Sequence, residues 1–289
     1  AARLNKGFHV FKSSGISKRA AVTFVTLLIL CGLAVYFLVE RKYQIEYIKM
    51  ERVILNQSNK LTAVLTKLFY KTQALSALVI QHNGKVENFE KVASTLVDDP
   101  AILNVLVAPG GVVSDVYPRK GNEAVLGLNF FARGAGNQEA VEARDAGHLI
   151  LGGPFPLVQG GQALVGRLPV YMDDGKGGKL FWGLVSVTLK FPQALNGAEL
   201  DKLAELGLAY EIWRISPDTN KKQIIARSDY AYNKDAPYLE MPLDILNAHW
   251  FFRLSPVKLW YQYPESWLYI SLGVLGSFLL DTLAQHNHD

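Results

Sequence analysis

At 289 residues, with 49% apolar and 11% aromatic content, the chain is too rich in core-forming side chains to be a disordered segment and long enough for about two domains. Five of its 30 Lys and Arg precede residue 20 and two of its 26 Asp and Glu follow residue 265, so residues 40–265 carry about one net positive charge. A nucleic-acid binder needs a basic stripe on its folded part, and none is present, so no nucleic-acid partner is expected.

The leader carries Arg3, Lys6, Lys12, Lys18 and Arg19 with no acidic residue, and an uncharged run follows at residues 20–39. About 20 such residues make a helix that crosses a bilayer core of roughly 30 Å, and the basic leader keeps the N-terminus in the cytoplasm. A cleaved signal peptide is the competing reading. Its apolar core is shorter and ends in a small-residue site, whereas here Tyr36-Phe37-Leu38-Val39-Glu40-Arg41 follows. A second apolar stretch begins at Trp267, with Trp267 and Tyr269 as an interfacial belt and Asp281 inside the span, which predicts a return helix over residues 264–282. The chain is then integral to the inner (plasma) membrane, with residues 40–265 periplasmic or extracellular. Since it starts without Met and stops soon after the second span, it reads as a fragment with a cytoplasmic portion beyond it. The sole cysteine, Cys31, lies in the first run, so the external part is held by packing without disulfides.

Apolar residues then recur at helical spacing from Ile45 to Leu78, with no Gly or Pro before Gly84. This predicts one helix over residues 40–82, about 65 Å long at 1.5 Å per residue, acting as a stalk that pairs with a second copy. The alternative is a core helix of one globular domain. A short helix fits 86–97, a hairpin fits 101–107 with 112–117, and a polar helix fits 138–146. Strands are predicted at 155–159, 163–172 and 180–191, forming an antiparallel sheet with helices on one side. After Pro192 come an amphipathic helix over 194–206 and strands at 208–215, 223–228 and 249–254. The fold class is α+β: a stalk helix (40–85) carrying two antiparallel-sheet subdomains (86–192 and 193–263), flanked by transmembrane helices.

The run Ala108-Pro109-Gly110-Gly111-Val112-Val113, followed by Val116-Tyr117-Pro118, Gly121-Asn122-Glu123 and Gly127-Leu128-Asn129, resembles the CHASE domain, the extracellular sensor of cyclases and histidine kinases. Ala143-Arg144-Asp145-Ala146-Gly147, Gly153-Pro154-Phe155, Leu168-Pro169-Val170-Tyr171 and Phe181-Trp182-Gly183 continue it in order, over roughly residues 80–195. The resemblance implies two PAS-like sheets, a small-molecule ligand in the membrane-distal one, and a diguanylate cyclase or histidine kinase as output. In the plant cytokinin receptors of this family an Asp, a Leu and a Thr contact the ligand at the positions of Asn129, Leu151 and Gly160. Only the leucine is kept here, so the resemblance implies a shared pocket with a different ligand.

From the residues alone, a pocket needs apolar lining and a few convergent polar groups. Tyr117, Asn129, Arg167 and Tyr171 amid Phe130, Phe131, Leu151 and Phe155 meet that description. No H-E-x-x-H or Cys/His metal pattern, G-x-S-x-G elbow or complete phosphate loop occurs, and Glu139 and Glu142 read as a solvated helix face, so neither catalysis, metal nor cofactor is expected of this chain. The expected function is a transmembrane small-molecule sensor, with a freestanding membrane-anchored binding protein as the alternative.

Overall fold

The computed structural model describes residues 18–134, 136–158, 160–229, 236–259, 262 and 264–286; the basic leader residues Arg3, Lys6 and Lys12 lie outside that range. The chain divides into two compact units, residues 48–257 and, separately, residues 1–47 with 258–289.

The smaller unit holds the first part of helix α1 (Lys18–Phe69) and helix α5 (Pro264–His286). They meet through an edge-on contact of Phe24 with Phe278, ring centroids 6.1 Å apart, and through Gly273 against Val35. Among the described residues one helix is long and apolar enough to cross a membrane, the one containing residues 22–39; Ser266–Gly276 is a shorter apolar stretch.

The larger unit is α+β. From Met50 onward α1 buries Met50, Ile54, Leu61, Leu65, Leu68 and Phe69, so this part is a core helix, as in the second reading of the periodicity. The single helix expected through residue 82 is interrupted at Tyr70 and resumes as α2 (Lys71–Gln81). The cause is local: the Thr72 hydroxyl donates to the Phe69 carbonyl at 2.7 Å and the Gln73 amide closes a tighter turn on Tyr70. Helix α3 (Phe89–Leu96) follows.

The first sheet has the antiparallel order β2-β1-β5-β4-β3, built from β1 (Ile102–Pro109), β2 (Asp115–Tyr117), β3 (Ile150–Pro156), β4 (Gln162–Asp173) and β5 (Lys179–Phe191). One face, with Val105, Val185, Val187 and Leu189, packs on α1 to α3. The opposite face, with Leu106, Ala108, Ile150 and Leu184, lies under the 111–149 segment, including Phe130 and Ala140 and Ala143 of α4 (Asn137–Ala146). Helices therefore cover both faces, where the sequence had pointed to one, because α4 offers its small Ala140 and Ala143 to the sheet. The glycine- and lysine-rich segment at 175–179 is a hairpin turn, with Asp174 Oδ1 accepting from the Lys176 and Gly178 amides.

The second sheet has the order β7-β6-β9-β8, from β6 (Leu208–Ile215), β7 (Lys222–Arg227), β8 (Leu239–Ile245) and β9 (Ala248–Pro256). β8 escapes a sequence reading because Pro242 sits in its middle, a residue an edge strand tolerates. The expected helix at 194–206 is two 3-10 segments, Gln193–Ala198 and Leu200–Leu203, divided by Glu199 in the left-handed conformation. Glu199 is held there by Lys60 at 3.1 Å and Lys202 at 2.6 Å. Trp250 and Phe252 anchor this sheet to the same core that α1 enters.

The second sheet also touches the outer edge of β3. The Leu246 carbonyl accepts from the Leu151 amide at 3.3 Å, Asn247 Nδ2 donates to the Leu149 carbonyl at 3.0 Å, and Gln223 Nε2 donates to the Pro154 carbonyl at 2.6 Å.

Candidate ligand site on the first sheet

Strand alternation places residues two apart on one face. Cross-strand register then aligns Ile150 with Arg167, Arg167 with Ser186, and Ser186 with Leu106. The next rung aligns Gly152, Val165, Thr188 and Asn104. Both rungs lie on the face beneath the 111–149 segment. Asn104, Arg167, Ser186 and Thr188 are all buried there, an uncommon content for a sheet interior.

Buried polar groups normally find partners. Asn104 Nδ2 donates to Asn122 Oδ1 at 2.7 Å, and Asn122 Nδ2 to the Pro118 carbonyl at 2.9 Å. Asn104 Oδ1, Ser186 Oγ, and Arg167 Nε and Nη1 have no partner in the protein. Arg167 is only 4% exposed, and among the described residues no carboxylate forms an ion pair with it. Its guanidinium carbon lies 4.8 Å from the Phe130 ring centroid and 5.5 Å from that of Phe155. Gly136, which precedes α4, has φ +79, and a Cβ there would stand 2.7 Å from the Phe155 ring and 3.3 Å from Arg167 Nη2; only glycine lets the chain pass this close. Burial pulls the Arg167 guanidinium down to about 10, against a smaller opposing pull from Glu139 and Asp218.

The neighbouring charges bond elsewhere, except that Glu139 Oε2 is buried without a partner. Arg214 Nη1 of β6 meets Glu139 Oε1 of α4 at 3.2 Å, both side chains buried, and Arg214 Nε donates to Gln223 Oε1 at 2.8 Å. Asp218, exposed in the β6–β7 turn, accepts the Gly136 amide at 3.3 Å. Glu139, expected on a solvated helix face, is instead buried, because β6 supplies its counter-charge across the unit. The buried charges next to Arg167 are thus Arg214 and Glu139, while the buried Glu211 of β6 pairs with Lys222.

Of the residues singled out from sequence, the fold brings Arg167, Phe130 and Phe155 together. Tyr171 stands nearby: its hydroxyl donates to the Arg144 carbonyl of α4, its ring meets Phe181 edge-on at 5.7 Å, and Arg144 lies over Phe131 at 5.0 Å. Asn129 is exposed, its Oδ1 accepting the Phe131 amide at 2.9 Å. Leu151 points into the opposite, helix-facing core, and Gly160 sits in the exposed β3–β4 turn. Tyr117 lines an open cleft of about 670 Å³ between α3 and β2, edged by exposed Glu90, Lys91 and Arg119. Sequence reading missed Asn104, Ser186, Thr188, Glu139 and Arg214. The alternation Val185-Ser186-Val187-Thr188-Leu189 held a signal, since it puts two hydroxyls on one face of an otherwise apolar strand.

The sequence over this region matches one family. The CHASE domain profile matches residues 72–224, more than half of the chain. The chain belongs to the CHASE domain family. No curated protein sequence matches it. Among solved structures, an extracellular ligand binding receptor from Desulfohalobium retbaense superposes with a TM-score of 0.55 at 13% identity, over 69% of this chain and 38% of that one. This CHASE chain thus spans under two fifths of that receptor's length, and the likeness is one of fold. Two structures of the Vibrio cholerae LuxQ periplasmic domain align over 83% of this chain at TM-scores of 0.34 and 0.32, with 8% and 9% identity, covering 98% and 100% of those chains.

Proposed function

We propose that this CHASE chain is the extracytoplasmic small-molecule sensor of a transmembrane receptor. The observation that carries the reading is the row of buried groups with no protein partner, Asn104 Oδ1, Ser186 Oγ and two Arg167 nitrogens, on the sheet face closed over by residues 111–149. Each such group carries an uncompensated desolvation cost of about 1–3 kcal/mol. A ligand supplying the missing partners turns that cost into affinity.

The first sheet, antiparallel and with a binding face, is a PAS-like module, and the second sheet is a smaller version of it. Residues 20–39 and α5 are its two membrane spans, the N-terminus is cytoplasmic, and the output is a diguanylate cyclase or histidine kinase, as the family and the charge of the leader support. Two copies pair along α1, where Ile48 and Leu55 stand 46% and 45% exposed one heptad apart.

The test is capture. Purified chain is incubated with a small-molecule extract of bacterial cells, washed and denatured, and the released compounds are identified by mass spectrometry. One compound should be retained, and when added back it should raise the melting temperature in a saturable way. Retention unchanged in Ser186→Ala, Arg167→Met and Asn104→Ala chains, each shown to be folded, would place binding elsewhere and sink this site.

A further inference from the structure

We propose that the sensed molecule is a small monoanionic carboxylate, seated against the Arg167 guanidinium. This rests on the sensor reading above and names its ligand class.

Three observations converge on it. The unpartnered Arg167 atoms, Nε and Nη1, are donors only, so what they lack is an acceptor. The buried charges around them are Arg167, Arg214 and Glu139, and the Arg214–Glu139 pair at 3.2 Å leaves one positive charge without a buried counter-ion. A monoanion neutralises that charge. A phosphate dianion would leave a buried negative charge in its place, which is as unfavourable as the positive one it removes. Finally, the rings of Phe130 and Phe155 lie against the guanidinium at 4.8 and 5.5 Å, excluding water while the N–H groups remain in the guanidinium plane. Planar carboxylates suit such in-plane donors.

The experiment uses the full 289-residue chain in detergent micelles. Lactate, propionate and benzoate are compared with lactamide, propionamide and benzamide by thermal shift and calorimetry, with inorganic phosphate alongside. The acids should bind and the amides should not. Arg167→Met should weaken the acids about 100-fold and Arg167→Lys about 10-fold, following the strength of hydrogen bonds to charged groups. An amide matching its acid, phosphate outcompeting all the acids, or full affinity in a folded Arg167→Met chain overturns the carboxylate assignment and leaves the sensor reading standing. Should Arg167→Met fail to fold, the acid-against-amide comparison on the unaltered chain decides. Should none of the six probes act, the molecule captured from cell extract decides: a carboxylate whose retention needs Arg167 supports the assignment, and a neutral or cationic one overturns it. If probes and extract alike leave nothing bound, the sensor reading falls together with the assignment.

Discussion

Glu139 on α4 and Arg214 on β6 form a buried ion pair, 3.2 Å long with side chains 3% and 6% exposed, that joins the cover of the first sheet to the first strand of the second. Arg167 shares their neighbourhood, which makes the two halves of the pair unequal. Glu139→Gln leaves two buried cations and should cost about 3–5 kcal/mol, the usual penalty for orphaning a buried charge. Arg214→Met leaves Glu139 with Arg167 still at hand, so it should cost distinctly less. Urea denaturation of both variants checks the order, and a larger loss in Arg214→Met would mean that Arg167 is too far away to compensate.

The pH dependence has a definite sign. Burial lowers the folded-state pKa of Arg167 to about 10, well below the ordinary guanidinium value, so from about pH 10 upward to that value the unfolded chain holds more protons and this group's contribution to stability rises with pH. At neutral pH the charged guanidinium opposes folding. Arg167→Met without ligand should therefore be as stable as the parent or more so at pH 7, with the difference shrinking as pH passes 10. Carboxylate binding should stay level from about pH 6 to 9 and fade towards 10 as the guanidinium loses its charge. Melting curves and calorimetry across that range are the measurements.

Gly166 of β4 faces α1, and a Cβ there would overlap the Phe69 ring. Gly166→Ala should cost about 1–3 kcal/mol by overpacking. Shrinking the ring in Gly166→Ala/Phe69→Leu should recover part of it. A double mutant whose loss equals the sum of the two single losses would show that the contact is not the cause.

Dimerisation along α1 predicts that Ile48→Glu/Leu55→Glu yields a monomer in sedimentation, without change in the circular dichroism of the folded unit, since both side chains are about half exposed. A chain of residues 40–262 that stays monomeric at high concentration with its native sequence, as does the full chain, would remove the dimer.

How much of this was legible beforehand depended on whether the deciding contacts were local. β4, β5 and β6 follow from alternation in their own residues, α4 from its polar run stopped by Gly147, and the family from short motifs in order. Glu139 looked solvated because its partner, Arg214, lies 75 residues further along. The 3-10 segments after Pro192 depend on Lys60, remote in sequence, holding Glu199. Arg167 was picked out for its polarity within an apolar strand. The hydroxyls beside it were overlooked because Ser and Thr are unremarkable in strands until register sets them next to a buried charge.

The bonds that Leu246, Asn247 and Gln223 make to β3 have a consequence for solubility. An open edge strand recruits other chains, and natural sheets shield theirs. β3 ends the first sheet on that side, and its outward amide and carbonyls are taken up by the second subdomain. Severing the chain after Phe191 would expose a sticky rim, so the shortened protein should precipitate or form intermolecular β-structure at concentrations where the longer one stays clear.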